Sequence, residues 1–446
     1  MGPVTGPQGG RPSRRGLLIS HPKRCCSNLL FMYRQHKSPE RRLKRREFLA
    51  AAGLLAASSL AQEAGGEPSE NVALPFENGE RPLVRYPQKR PLLRLTTRPP
   101  QLETPFKIFN EGVLTPNDAF FVRYHLTGSP PSENRLSPEN FRLKISGSVG
   151  SELTFSVADL KSQFESTEVT AVNQCSGNGR GFSDPRVPGG QAGNGLMGNA
   201  RWKGVRLKDV LNKAGVSAGS KQVTFNGLDA PLLPQTPDFI KALNVDHALN
   251  GEVLLAWEMN GEELPWLNGY PLRLVVPGYY GTYWIKHLHD IKVVDEVFKG
   301  FWMSTAYRIP DNACACVPPG TKPAQTVPIN RLNVRSFITN LLNGAQVKAG
   351  ERLALRGIAF DGGTGIREVT VSADGGATWQ SAEIGKDPGK YAFREWTISL
   401  AAPKPGALIL QSRATNNGGQ IQPLEAQWNP PGYMRNVVET VNITAA

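Results

Sequence analysis

The sequence predicts an α+β protein of two folded parts behind a removable leader. A mixed α/β domain is expected over residues 62–320 and an all-β sandwich of immunoglobulin-like build over 321–446. Three observations lead there. A chain of 446 residues is longer than one ordinary core accommodates. Short apolar runs outnumber helical patterns and no βαβ rhythm is present, which argues against a doubly wound nucleotide fold. Finally, the text changes at 321–328, a Pro-containing linker beyond which polarity alternates with a period of two.

The leader comes first. Residues 1–61 hold twelve of the 51 Lys and Arg and two of the 38 Asp and Glu, so most of the formal +13 charge sits there. The remainder is close to balance, which gives no electrostatic case for binding nucleic acid. The basic stretch ends at Lys44-Arg45-Arg46-Glu47-Phe48-Leu49 and passes into small and apolar residues up to Ser59-Leu60-Ala61. That layout reads as a twin-arginine export signal with Met1 or Met32 as its start, and the expected destination is the periplasm. About 14 apolar residues are too few to span a bilayer, so no membrane span is expected in the mature protein. Export in the folded state commonly serves proteins that receive a cofactor in the cytoplasm. Cys25 and Cys26 leave with the leader, while Cys175, Cys314 and Cys316 stay. An odd count means that one thiol is unpaired or bound to something.

Residues 62–105 are rich in Pro and charge and read as an extended lead-in over the surface. Runs at 120–124, 141–145, 223–225 and 272–276 read as strands, and 207–214, closed by Gly215, as a short helix. Beyond the linker, 352–360, 368–373 and 407–414 read as strands, with Asp374-Gly375-Gly376 as a hairpin turn. Short strands with frequent turns are the pattern of a sandwich.

The chemistry centres on Val172-Asn173-Gln174-Cys175-Ser176-Gly177-Asn178-Gly179-Arg180-Gly181-Phe182. A cysteine ends a strand, glycines let the backbone approach a bulky ligand, and a thiolate beside Arg180 suits a soft or redox-active metal. Composition alone favours reading Cys175 as a buried free thiol ahead of a plain Gly-rich turn. Cys314-Ala315-Cys316 is too tight for an easy disulfide and lacks partners for zinc, so a structural role is expected.

Gln-Cys-Ser-Gly-Asn-x-Arg resembles the molybdenum-ligating segment of the sulfite oxidase family, and the resemblance runs from about Asn110 to the C-terminus. It implies a molybdenum-molybdopterin cofactor, one per chain, with Cys175 as the metal ligand. It extends to Phe120-Phe121-Val122-Arg123-Tyr124-His125, implying Arg123 in the substrate pocket and His125 on the cofactor. Gly227-Leu228-Asp229 resembles a pterin-contacting turn. The stretch Gly269-Tyr270-Pro271-Leu272-Arg273, with Trp284-Ile285-Lys286, resembles the phosphate clasp, implying cofactor roles for Asp229, Arg273 and Lys286. Arg123, Arg180 and Arg435 are the implied oxyanion clamp, since guanidinium forks suit several oxygens at once. Tyr307 matches the active-site tyrosine of the bacterial sulfite dehydrogenase branch and would hydrogen-bond the transferred oxygen. Two departures stand out: Asn268 occupies a position where relatives carry a cofactor-binding His, and 189–198 contains no Trp.

The sequence has no Cys-x-x-Cys-His, so no haem is expected in this chain. The implied activity is oxidation of sulfite to sulfate, with electrons passed to a c-type cytochrome. The alternative is a sulfane dehydrogenase subunit of a thiosulfate-oxidising complex. A homodimer through the C-terminal domain is compatible with the family.

Overall fold

Short strands begin with the first residues that the computed structural model describes, which are 70–77, 79–131 and 136–446. The export signal lies outside them. Asn71–Val72, Arg81–Val84, Leu92–Thr96, Gln101–Glu103 and Val122–Arg123 form a five-stranded antiparallel sheet. This corrects the expectation of a surface lead-in. Leu92 and Leu102 are fully buried and share a small core with Val122, Tyr124, Trp266 and Leu267. Strands of two to five residues, separated by stretches that hold Pro87, Pro91, Pro99 and Pro100, are too short to display a period.

Two further sheets carry the central domain. One runs Lys241–Asn244, Gln222–Gly227, Leu288–Val294, Leu143–Gly147, Leu153–Phe155, with a single parallel pairing between Leu288–Val294 and Leu143–Gly147. The other orders Glu262–Glu263, Leu254–Met259, Met197–Arg206 and Ser166–Gln174, and Arg273–Val275 pairs with Leu254–Met259. The helix Leu207–Ala214 lies where the sequence places it. Leu207, Val210, Leu211 and Ala214 recur at helical spacing and are buried, and Gly215 ends the helix at φ 73°. The α contribution is smaller than expected. Among the described residues, the α-helices Val157–Gln163, Leu207–Ala214, Val245–Ala248 and Phe301–Ser304 do not exceed eight residues. No helix among them is long and apolar enough to cross a membrane.

The C-terminal part is built from two sheets. Arg335–Ile338, Leu353–Phe360, Arg394–Leu400 and Glu383–Ile384 make one; Gln346–Val347, Thr440–Ala445, Gly406–Asn416, Ile366–Ser372 and Gln380–Ser381 make the other. Leu355 and Trp396 from the first meet Val369, Leu410 and Ile443 from the second in one core. Phe337, Ile358, Phe360 and Phe393 instead join the large core of the central domain. The apolar interior therefore runs across the change of character at 321.

Candidate active site

Cys175 follows the last residue of Ser166–Gln174, and its backbone N–H donates to Leu196 O at 2.9 Å. Two interactions hold the loop opposite. Asn178 Oδ1 accepts from the Leu196 N–H at 2.9 Å, and the buried Glu103 carboxyl accepts from the N–H groups of Gly193 and Gly195 at 3.0 and 2.8 Å. Cys175 lines a cavity between these segments. Arg123, His125, Asp229, Arg273, Lys286 and Tyr307 line the same cavity, so seven of the nine residues singled out from the sequence meet there.

The lower wall is cationic. Arg273 is 2% exposed, donates from NH1 to Asn268 O at 2.8 Å, and lies over the Trp202 and Trp284 rings. Burial brings its pKa down to about 9. Lys286 Nζ sits 3.4 Å from the Tyr124 ring centroid and donates to Arg123 O. Burial and then the charge of Arg273 push its pKa well below the usual lysine range. Asp229 is the acid of this wall. Burial raises it to about 6 against the opposing pull of Lys286, and no ion pair within 4 Å joins the two among the described residues.

The upper wall is a run of rings. Tyr307 hydrogen-bonds His125 Nε2, and His125 stacks on Phe239 at 3.7 Å between centroids. Tyr433 stacks parallel on Tyr307 at 5.4 Å, and the Arg180 guanidinium lies 5.1 Å from the Tyr433 ring. Burial pushes the Tyr307 phenol upward, so it stays protonated. Burial, followed by Arg123, Lys286 and Lys241, pushes His125 well below its usual value, so the imidazole is neutral. Arg180 packs over glycine. A Cβ on Gly177 would lie 2.8 Å from the guanidinium carbon, and one on Gly189 would lie 2.7 Å from NH1. Tyr307 itself has φ 57° and Met434, beside Tyr433, has φ 62°. Left-handed backbone at non-glycine residues concentrates where side chains must be aimed.

Arg180 and Arg435 stand behind the cavity lining. Arg435 makes a two-pronged pair with Glu439, at 3.1 Å from Nε and 3.0 Å from NH2. Glu439 also accepts from Arg335 NH2 at 3.0 Å, and that same NH2 reaches Asn194 Oδ1 at 3.0 Å. Arg335, Glu439, Tyr433, Glu103 and Lys241 were not anticipated. Each is a common residue type in an ordinary strand or loop, and only the pairing of distant segments marks them.

The expectation for Cys314 and Cys316 is corrected. They form a disulfide with Cα atoms 5.1 Å apart, within the range that such a bond spans. The intervening Ala315, at φ 50°, folds the chain back far enough for the two side chains to meet. Ala315 O accepts from Asn429 Nδ2 at 3.1 Å, and Asn429 in turn binds both the N–H and the carbonyl of Tyr433 at 2.9 Å.

The donor set decides what the cavity could hold. Among the described residues no three His, Cys, Asp or Glu side chains gather around a point. A metal beside Cys175 would therefore need its other ligands from a larger group. Such a group would also satisfy Arg273 Nε, Asn173 Oδ1, Ser176 Oγ and Thr282 Oγ1, four buried polar atoms without partners on residues that line the cavity. Its charge should be negative, to match the cationic wall. An anionic organic cofactor carrying a metal fits on each count.

Residues 128–302 match the family described as oxidoreductase molybdopterin binding domain, and 326–446 the Mo-co oxidoreductase dimerisation domain. Fold and site together thus define a molybdopterin-dependent oxidoreductase. Sulfite oxidase of Gallus gallus is 34% identical over 385 residues, covering 83% of this chain and 82% of that one. The mitochondrial sulfite oxidase of Homo sapiens is also 34% identical, over 86% of this chain and 72% of its own length. The chain belongs to the sulfite oxidase family. Its fold is also similar to that of the sulfane dehydrogenase SoxCD of Paracoccus pantotrophus, with TM-score 0.65, 24% identity, and coverage of 86% of this chain and 93% of that one.

Proposed function

We propose that this chain oxidises sulfite to sulfate in the periplasm and passes the electrons to a c-type cytochrome, as a subunit or a diffusing acceptor. The observation that carries the reading is the meeting of Cys175 with Arg123, Arg273 and Lys286 in one cavity. When bound, the molybdenum-pyranopterin group supplies oxygen transfer and takes up two electrons. Cys175 is the one protein ligand to the metal. Asp229, Arg273 and Lys286 hold the pterin and its phosphate, with Asn173, Ser176 and Thr282 offering their unpartnered polar atoms. Arg123 attracts and orients the sulfur oxyanion from the cavity wall; Arg180, over the Tyr433 ring, and Arg435, through Glu439, add positive charge from behind it. Tyr307, kept protonated, donates a hydrogen bond toward the oxygen being transferred, and neutral His125 fixes the direction of that phenol. The rings of Phe239 and Tyr433 narrow access for water around these groups.

The C-terminal sheets are taken as an immunoglobulin-like sandwich that joins two chains. The exposed Leu342, Ile409, Ile421 and Leu424 support an apolar contact on that part. Export by the twin-arginine route is supported by residues 44–61 of the sequence alone. The likeness in fold to a sulfane dehydrogenase favours the second reading, oxidation of a carrier-bound sulfane sulfur. Steady-state assays separate the two. Reduction of cytochrome c by free sulfite supports the first, and turnover only with a sulfur-carrying partner protein replaces it with the second.

A further inference from the structure

Lys89 is a buried cation that the mechanism above does not use. It is 5% exposed and, among the described residues, makes no ion pair within 4 Å. Its ammonium donates instead to three oxygens: Asn268 Oδ1 at 2.5 Å, Asn117 O at 2.6 Å and Phe120 O at 3.1 Å. Burial lowers its pKa to about 7, partly opposed by Asp118. The chain is bent to place it there. Gln88, just before it, has φ 59°, and the Gln88 side chain accepts from the Trp266 N–H at 3.0 Å, which ties this turn to the segment carrying Asn268.

An ammonium has only hydrogens to offer, so the carboxamide it faces must present oxygen. The NH2 of Asn268 is thereby turned the other way. One of its hydrogens goes to Phe121 O at 3.1 Å, and Asn268 lines the cavity into which the second can point. Asn268 O meanwhile accepts from Arg273 NH1, and Gly269, next in sequence, lies tight against both Arg273 and Lys286, where a Cβ would come within 3.1 Å of each.

We propose that Lys89 is a positioning residue of the cofactor site. Its donor-only head locks the Asn268 carboxamide so that an N–H faces the acceptor-rich, anionic part of the bound pterin cofactor, and it steadies the corner that aims Arg273. This inference rests on the molybdopterin reading of the cavity.

The test uses full-length protein purified from a host that makes the cofactor, with molybdenum measured by elemental analysis and pterin by fluorescence after oxidative release. Melting temperatures are taken on protein from a cofactor-deficient strain. Asn268→Asp is the decisive variant, because the new carboxylate pairs with Lys89 and keeps the fold while removing the N–H donor. It should retain about tenfold less pterin with no loss of melting temperature in the cofactor-free form. Lys89→Met should also lower pterin content, and Lys89→Arg should restore most of it. Parent-level pterin in Asn268→Asp overturns the proposal while leaving the cofactor reading intact. A parent that carries no pterin removes both.

Discussion

The corner around Arg335 and Arg435 and the corner around Arg273 and Lys286 both take cations out of water, but they are neutralised differently. In the first, Glu439 bridges the two guanidinium groups at 3.0 to 3.1 Å, so each has an acid in direct contact, although Arg335 Nε and NH1 find no partner. In the second, among the described residues, neither Arg273 nor Lys286 makes an ion pair within 4 Å, and burial disfavours ionisation of Asp229, the carboxyl that Lys286 acts on. Leaving charge unmatched in a low-dielectric interior is costly. A fold that does so beside a thiol is arranged for an anion that arrives from outside. The contrast separates a support from a binding site.

Breaking the support should cost stability and spare binding. Glu439→Gln leaves two buried guanidinium groups without their acid and is expected to lower stability by about 3 kcal/mol, read by urea unfolding, with molybdenum content unchanged. Burial pushes Glu439 up, but Arg435 and Arg335 outweigh it and hold the carboxyl below its usual range. Its contribution is therefore present above the ordinary glutamate value and lost as pH falls through the lowered one. The parent should lose stability on acidification more steeply than the variant.

Breaking the binding corner should do the reverse. Arg273→Met is expected to lower cofactor retention by roughly 100-fold, while the cofactor-free protein melts no earlier than the parent, because an unmatched buried charge has gone. A large drop in the cofactor-free melting temperature would contradict the distinction. At the upper wall, Arg123→Gln should raise KM for sulfite by about tenfold, the scale of one charge-assisted hydrogen bond, with molybdenum content maintained. The smallest effect is expected for the Cys314→Ser/Cys316→Ser double variant. Opening so short a loop should cost about 1 kcal/mol and loosen Asn429 against Tyr433, so KM should rise a few-fold with kcat nearly unchanged.

Local signals were legible where one segment carries the whole pattern. Gly215 after an apolar 3.6-residue repeat fixed a helix end, and glycines around Cys175 marked a backbone that something approaches closely. Apolar patterning located three of the nine strands of the C-terminal sheets, Leu353–Phe360, Ile366–Ser372 and Gly406–Asn416, to within two residues; the shorter ones carry too few residues to show a period. What stayed hidden depends on distant segments meeting. Leu92 and Leu102 become core only because Trp266 and Leu267 pack on them. Lys89 matters only through Asn268, 179 positions later. The pairing of Arg435 with Glu439, and of Glu439 with Arg335, 104 positions away, is likewise invisible in the sequence. The Cys-x-Cys pair was misjudged because spacing says nothing of the left-handed turn that Ala315 adopts between the two sulfurs.

The central claim is that Cys175 and the unmatched cations form a seat for a molybdenum-bearing pterin. Metal and pterin content of the parent and of Cys175→Ser, both purified from a cofactor-competent host, tests it most directly. The account predicts near-stoichiometric molybdenum and pterin in the parent, and in the variant a sulfite-dependent cytochrome c reduction lowered by more than about 100-fold. A parent free of both, or a variant as active as the parent, would contradict it.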